Sequence, residues 1–292
     1  MPLPVRFLFL LIIPFLFHSC SLFEPPAQVP SFIHIDSIGL TTDYASQGTA
    51  SHRIKDAWVY VDQKLIGVYQ MPATIAILAT GMHQIDVKPG IMVNGIASTR
   101  EAYPFYTFFT ATVNLTAQQI TTINPMVTYY PVTQFAWRED FDATGMTMHN
   151  VKPTMDSLTT TSVDVCEGMS SAKASLTTAN YYFECASINS YELPTDGSHS
   201  VYLEMNYRGS NTIRVGVLHV PDLNAVADLE DTVLDVYPSA NWNKIYVDLT
   251  TVCGSYPSGT GTGYFYIFIA AVLDDGKTNA DIYFDNLKLI HQ

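Results

Sequence analysis

Alternating apolar and polar positions run through most of the chain and predict β-strands. In AWVYVD, Trp58 and Tyr60 point to one side of a strand, and Val59 and Val61 point to the other. No segment shows convincing helical periodicity over a dozen residues, although the acidic stretch 223–234 permits a short helix or a loop. The pattern therefore predicts an all-β protein.

The strand-like runs fall into two groups that meet near Pro131. The first group comprises 32–40, 56–70, 73–78, 82–91, 105–115 and 120–131, and the second comprises 159–166, 181–188, 199–208, 212–220, 242–250, 263–273 and 280–290. Many short strands at regular spacing, separated by loops rich in Gly, Ser, Pro and Asn, are typical of a β-sandwich or jelly roll. We therefore expect a small N-terminal β-sandwich at 31–133 and a C-terminal jelly-roll β-sandwich at 137–292.

The N-terminus has the pattern of a secretory signal. A single basic residue, Arg6, precedes the apolar run FLFLLIIPFLF, which is too short to span a membrane and is interrupted by Pro14. Ser19 then precedes Cys20. This arrangement resembles a bacterial lipoprotein signal at residues 1–19, which implies that Cys20 becomes the first mature residue and carries acyl chains such as palmitate. The alternative is an ordinary secreted protein whose cysteine falls there by chance.

Residues 20–30 resemble a tether between a membrane anchor and a folded body. The stretch SLFEPPAQVP holds three prolines in ten residues, and proline favours an extended, semi-rigid chain. The relaxed residues before the cysteine, Phe17 and His18, are similar to those of Bacteroidota lipoproteins. The resemblance implies lipid anchoring in the outer membrane. The cell surface is slightly favoured over the periplasmic face only because of the binding fold that the second half resembles, as described below.

Charge limits the classes of partner. Asp and Glu outnumber Lys and Arg by 27 to 14, which gives a formal net charge of −13. Such an acidic balance argues against nucleic acid or an anionic membrane surface as a partner. Charged residues make up only 14% of the chain, so the remaining polar surface is mostly uncharged, as is common in exported proteins.

A stretch of about thirty residues in the first half resembles the PEGA-type small β-domain. The positions that carry the likeness are Val59, Val61, Asp62, Ile66, Gly67, Pro72, Gly81, His83, Ile85 and Val87. Gly81 permits a tight turn, after which His83, Ile85 and Val87 share one strand face. The resemblance implies a packing or docking module of an envelope protein, in which His83 is structural.

The second half resembles the galactose-binding-like jelly roll of many carbohydrate-binding modules. The likeness lies in EDFD at 139–142, ELPTDGSHSVYLEMNYR, NWNKIYVDLT and the closing ADIYFDNLKLI. In such domains a structural calcium often sits near the chain ends, and Asp142 and Asp285 match those places. Calcium prefers six to eight oxygen ligands, which carboxylates and carbonyls supply. The alternative is that these carboxylates only cap turns and accept backbone N–H groups.

Three aromatic residues are candidates for stacking on a sugar: Trp242, Tyr256 and Tyr264. The alternative for each ring is that it packs on a hydrophobic core. Trp242, for example, begins a strand with alternating side chains, and most such rings are core residues.

Three cysteines follow Cys20. Cys166 and Cys185 lie in neighbouring strand-like runs and form the favoured disulfide pair, which leaves Cys253 odd. Buried free thiols are the open alternative. No paired-cysteine or paired-histidine spacing indicates a zinc site.

These features favour a non-enzymatic, lipid-anchored envelope protein whose jelly roll binds a glycan or a protein partner. The alternative is a structural subunit of an outer-membrane or surface assembly without a small ligand. A carbohydrate-active enzyme is a third and less favoured hypothesis. No G-x-S-x-G, H-E-x-x-H or phosphate-binding loop is present.

Overall fold

A computed structural model describes residues 28–151, 156–221, 229–256 and 258–292. The all-β prediction is confirmed: two short helices accompany twenty-two strands in this part of the chain. The predicted signal peptide, Cys20 and most of the tether lie outside the described residues. Neither helix in the described part of the chain has the length and hydropathy of a membrane-spanning segment.

The first half forms three small sheets. Its elements are β1 (Ser31–Ile35), β2 (Gly39–Leu40), α1 (Tyr44–Gln47), β3 (Asp56–Val61), β4 (Lys64–Gln70), β5 (Ala73–Ile77), β6 (Gly81–Met92), β7 (Arg100–Ala102), β8 (Phe109–Leu115), β9 (Ile120–Ile123) and β10 (Met126–Val127). The sheet orders are β5-β1-β9, β10-β2 and β4-β3-β6-β7, with β8 also paired to β6. Asp62 and Gln63 both have positive φ and join β3 to β4, as the backbone of a tight hairpin turn requires.

The second half is a sandwich of two six-stranded sheets. Its elements are β11 (Gln134–Glu139), β12 (Met148–Asn150), β13 (Thr159–Thr161), β14 (Ser171–Thr177), β15 (Tyr182–Ser187), β16 (Tyr191–Pro194), β17 (Val201–Gly209), β18 (Ile213–Val220), β19 (Leu229–Val236), β20 (Ser239–Asp248), α2 (Thr250–Gly254), β21 (Thr262–Val272) and β22 (Asn279–His291). One sheet has the order β13-β14-β22-β17-β20, with β11 on β22. The other has the order β12-β15-β21-β18-β19, with β16 on β21.

The core of the sandwich is built by alternation along its strands. Leu203 and Met205 of β17 face Val215 and Val217 of β18 across an apolar interior, and all four are fully buried. Their neighbours in sequence point outward, so each sheet also presents an outer face. These two outer faces differ: one packs against the first half of the chain, and the other carries the groove described below.

The outer face of the β17–β20–β22 sheet closes the core of the first half. Tyr202, Tyr246 and Ile290 belong to the same buried cluster as the aromatic residues of 103–106. The ring of Tyr103 lies 5.4 Å from Tyr202 and 4.8 Å from Tyr246. The two halves therefore share one apolar interface, although each half builds its own sheets.

A buried polar network lies within this interface. Both Glu204 and Lys244 are almost fully buried, and their charged atoms lie 2.8 Å apart. Tyr103 and Tyr129 donate hydroxyl hydrogen bonds to Glu204 at 3.0 and 2.9 Å. Lys288 donates to the Thr49 carbonyl at 2.5 Å, so it ties the last strand to the first half.

Candidate functional site

The outer face of the β12–β15–β21–β18–β19 sheet holds a shallow groove of about 200 Å³. We call it the sheet-face groove and define it by Tyr182, Glu184, Arg214, Asp235, Phe268 and Ala270. Strand pairing sets four of these residues in one row across the sheet. Glu184 pairs with Ala270, Ala270 with Arg214, and Arg214 with Asp235. Their side chains consequently project from the same face.

The floor of the groove is apolar because a glycine leaves room for a ring. Gly216 lies beside Phe268 in the strand register, and a Cβ at 216 would collide with the Phe268 ring. The missing side chain lets this ring lie flat against β18. Phe268 is fully buried, and it forms a small apolar cluster with Ala186, Leu218 and Ala270 on the outer face.

The rim of the groove is polar. Arg214 Nε donates to Asp235 Oδ1 at 3.1 Å, and both side chains are half exposed. On the opposite side, the Tyr182 hydroxyl donates to the carboxylate of the buried Glu184. The groove thus presents a half-exposed guanidinium and carboxylate, Arg214 and Asp235, above an apolar layer that is itself buried. A ligand with several hydroxyl groups complements this chemistry.

The sequence contains a signal for this groove in the run TIRVGVLHV, and that signal is not aromatic. In TIRVGVLHV, Val215 and Val217 face the core, so Arg214, Gly216 and Leu218 must face outward. A charged residue, a glycine and an apolar residue on one outer face form an unusual row. The fold was needed to show that Phe268 and Asp235 lie beside it.

The three aromatic residues predicted to bind sugar lie outside the described lining of the groove. Trp242 is on the opposite sheet, where its Nε1 donates to Asp164 at 3.1 Å and its ring contacts Tyr283 edge-on at 6.4 Å. Tyr264 lies on β21, half-buried, near the end where this strand pairs with β16. The structure therefore does not gather these rings into one binding surface.

Tyr256 follows α2, and both its ring and its hydroxyl contact neighbouring side chains. Its ring stacks on His219 with centroids 4.0 Å apart, and its hydroxyl donates to Asp231. Burial and the Asp231 carboxylate raise the pKa of Tyr256 to about 12.

Asp142 and Asp285 clamp the loop that precedes β14. Asp142 Oδ1 accepts the N–H groups of Met169 and Ser170 at 2.7 and 2.8 Å. Asp285 Oδ2 accepts those of Cys166 and Glu167 at 3.0 and 3.2 Å. Burial, with the nearby Asp142 charge as a smaller contribution, raises the pKa of Asp285 to about 7 against the opposing effect of its amide donors.

These carboxylates were expected to hold calcium. Among the described residues, no group of three or more His, Cys, Asp or Glu side chains is placed to hold a metal ion. The pair would therefore need backbone carbonyls and water to complete a calcium shell of six to eight oxygens. Calcium at this place stays a prediction.

The predicted Cys166–Cys185 disulfide is not formed; both thiols are free, as is Cys253. The run 159–166 is a strand only over Thr159–Thr161, so Cys166 lies in the loop that Asp285 holds. Cys185 is fully buried in the sandwich core, on a strand of the other sheet. The prediction failed because the two residues are not on neighbouring strands. Burial raises the pKa of the Cys166 thiol to about 11.

No protein-family model and no curated protein matches the chain. Among solved structures, it is similar to the C-terminal family 22 carbohydrate-binding module of Clostridium thermocellum Xyn10B, with 14% identity and a TM-score of 0.36 over 53% of this chain and 92% of that one. The family 11 module of the same organism's Lic26A-Cel5E gives 15% identity and a TM-score of 0.34 over 54% and 93%. The CBM22-1 xylan-binding domain of Paenibacillus barcinonensis Xyn10C gives 13% identity and 0.35 over 54% and 94%.

Proposed function

We propose that this protein is a non-enzymatic glycan-binding protein that holds a neutral oligosaccharide in the sheet-face groove. The observation that supports the proposal is the row Glu184–Ala270–Arg214–Asp235 beside the buried Phe268 ring. A pyranose carries hydroxyl groups at its edge, and the half-exposed Arg214 and Asp235 can bond to them. Guanidinium and carboxylate groups offer those hydroxyls both donors and acceptors.

Charge favours a neutral glycan over an acidic one. Arg214 is accompanied in the groove by Glu184, Glu230, Asp235 and Asp274. The chain as a whole carries a formal net charge of −13. A uronic-acid polymer would be repelled both at the site and during approach.

The spacing of one pair of carboxylates, Glu184 and Asp235 at the two ends of the row, favours binding over hydrolysis. Glu184 and Asp235 stand three strands apart, so their backbones are separated by roughly 14 Å at about 4.8 Å per strand. Two-carboxylate glycosidases place these groups roughly 5–10 Å apart, on either side of one bond. We therefore propose that the groove holds its glycan without cleaving it.

Calorimetric titration with defined neutral oligosaccharides tests this proposal. We expect Arg214→Ala to weaken binding about tenfold or more, because a group that bonds the ligand is lost. Arg208→Ala is the matched control, since Arg208 is also a partly exposed, ion-paired arginine, but on the opposite sheet with Asp164. Equal losses in the two variants would rule out the groove as the binding site.

We also propose that the protein is anchored in the outer membrane through acyl chains on Cys20, facing the cell surface. The support is in the sequence: Arg6, the short apolar run, Ser19 before the cysteine, and the proline-rich tether. Growth with a fatty-acid analogue should label the wild-type protein and leave Cys20→Ala unlabelled. Label in both proteins would argue against this anchor.

Calcium at Asp142 and Asp285 is a further proposal, supported by the fact that both carboxylates accept N–H groups from one loop, at residues 166–170. A divalent cation would relieve the repulsion between them and stabilise the folded state by mass action. A chelator should then lower the melting temperature, and the double change Asp142→Ala and Asp285→Ala should abolish that response. If the chelator does not change the wild-type melting curve, no calcium is bound there, and the two carboxylates act only as acceptors of amide hydrogen bonds.

One observation favours the alternative of a structural subunit. Strand β4 is an edge strand among the described residues, and Leu65, Ile66 and Val68 on it are 44%, 37% and 42% exposed. An apolar edge strand can pair with another chain. Light scattering over a concentration series would show assembly in the wild type that Ile66→Lys removes.

A further inference from the structure

The small sheet β5-β1-β9 has an outer face that carries apolar side chains. Along β1, Ile33 and Ile35 are buried in the core of the first half, so Phe32 points outward. Strand pairing places Ala76 and Ile120 on either side of Phe32, on the same face. We call this surface the β1 outer face and define it by Phe32, His34, Thr74, Ala76, Leu78 and Ile120.

This face is both exposed and free of ionised side chains. Leu78 and Ile120 are 65% and 61% exposed. The segments 28–35, 71–85 and 102–137, which build the face, contain no Asp, Glu, Lys or Arg, although the chain has 27 acidic and 14 basic residues. No charge would therefore lose its hydration if this face were pressed against an apolar phase.

The described chain begins beside this face. Gln28, Val29 and Leu78 line one shallow cavity of about 480 Å³. The Gln118 N–H donates to the Pro30 carbonyl at 2.8 Å, which fixes the entering chain next to β9. The first described residues are thus held at the edge of the β1 outer face.

The distance from Cys20 to this edge is short. Only the stretch 20–28 separates the two, and even a fully extended chain of that length spans at most about 29 Å. Acyl chains on Cys20 would consequently keep Gln28 within that distance of the lipid. The β1 outer face is the exposed apolar surface that begins at this point.

We propose that the β1 outer face lies on the lipid surface in which Cys20 is anchored, with Phe32, Leu78 and Ile120 against the lipid. This inference rests on the proposed acylation of Cys20. Exposed apolar patches mark membrane or protein contacts. Lipid suits this one because the anchor supplies a high effective concentration, so a small face is enough. A freely diffusing protein partner would need a larger interface, of about 1,200 Å² or more in total.

The lipid in question is neutral. The formal net charge of −13 opposes approach to an anionic surface, and the β1 outer face offers no Lys or Arg to offset it. The contact is therefore made by apolar side chains alone, and it sets which side of the first half faces the membrane.

Quenching of tryptophan fluorescence by brominated lipid tests this contact. The protein is the chain 21–292 with a hexahistidine tag in place of Cys20, held on phosphatidylcholine vesicles by a nickel-chelating lipid. The tag reproduces the attachment point without acylation. After subtraction of the wild-type signal, Ile120→Trp should be quenched at least twofold more than Leu65→Trp. Leu65 is the matched control, because it is an apolar residue, 44% exposed, on a different sheet of the same half.

A charge on the face should abolish the effect. Adding Ala76→Asp to Ile120→Trp should reduce its quenching to that of Leu65→Trp, because a carboxylate is costly to bring to lipid. Leu78→Trp is a second reporter if Ile120→Trp does not fold, and thermal melts of each variant establish folding.

Equal quenching at positions 120 and 65 would overturn the contact. So would fluorescence of Ile120→Trp that changes with protein concentration in the absence of vesicles, since a second copy of the chain would then cover the face. Strong quenching here with no fatty-acid label on Cys20 in cells would support the contact and refute only the acyl anchor.

Discussion

Asp285 shows how one buried carboxylate links stability to pH. Its folded-state pKa is raised to about 7, mainly by burial, from an ordinary value of 3.8. A raised carboxylate pKa contributes stability that is fully present below pH 3.8 and is lost as the pH rises through 7. Relative to Asp285→Asn, the wild type should therefore lose stability between pH 4 and pH 7.

Urea unfolding of both proteins across that range measures this difference. Asp281→Asn is the control, because its ion pair with Lys173 and its bond from Ser175 outweigh burial and lower the pKa of Asp281. The difference between wild type and this control should stay level between pH 7 and pH 4 and should shrink only below pH 3.8, because a lowered carboxylate pKa gives stability that is lost only as the pH falls through it. A wild type that follows Asp285→Asn at every pH would contradict the raised pKa.

Gly216 supports the groove because it has no side chain. A Cβ there would collide with the Asp231 carbonyl and the Phe268 ring. We expect Gly216→Ala to cost about 1–3 kcal/mol through overpacking, and to lift the ring that floors the groove. Unfolding in urea measures the cost, and calorimetric titration measures the loss of glycan binding. Gly259→Ala is the control, since a Cβ at that position meets open space.

Strands β17 and β20 show the difference between a buried and an exposed ion pair. Lys244 and Glu204 are 2% and 0% exposed, so neither charge has water as a substitute partner. Lys244→Met should cost about 3–5 kcal/mol, because Glu204 then stays buried without its ion-pair partner. Lys173→Met removes the exposed pair with Asp281 and should cost at most about 1 kcal/mol. Similar losses of unfolding free energy in the two variants would mean that water reaches the Lys244–Glu204 pair.

Strand patterns predicted most elements but misplaced those where the alternation does not match the pairing. The run 159–166 alternates like a strand, yet beyond Thr161 it is a loop whose amides bond to Asp285 rather than to a neighbouring strand. Strand β14, SAKASLT, is small and polar in sequence, and its pairing with β22 makes it a strand. The stretch 223–234 is predicted to be a helix or a loop, but its residues from Leu229 onward belong to strand β19. They form a strand because they pair with β18.

At the scale of the whole molecule, the sequence predicted two β-rich halves but not what lies between them. The predicted boundaries, 31–133 and 137–292, stay a prediction, and each half does build its own sheets. Outward-facing residues such as Glu204, Tyr246 and Lys288 look like solvent-exposed strand positions in the sequence. They are buried because the first half covers them, which alternation within one strand cannot reveal.

Lys288 provides a test of that interface. Burial, together with the Lys244 charge, lowers its pKa from 10.5 to about 7, while Glu204 opposes the shift. A lowered lysine pKa contributes stability that is fully present above pH 10.5 and is lost as the pH falls through 7. In the intact chain, the wild type should therefore gain stability relative to Lys288→Met between pH 7 and pH 10.

The same pair of proteins can be compared as the fragment 137–292. There the Thr49 carbonyl and Tyr129, the partners of Lys288 in the first half, are absent. Water would restore the ordinary pKa of Lys288, so the difference from Lys288→Met should no longer depend on pH. The fragment should also melt below the intact chain, because Tyr202, Tyr246 and Ile290 become exposed. A fragment that keeps both the pH dependence and the melting temperature of the intact chain would show that the first half does not bury this face in solution.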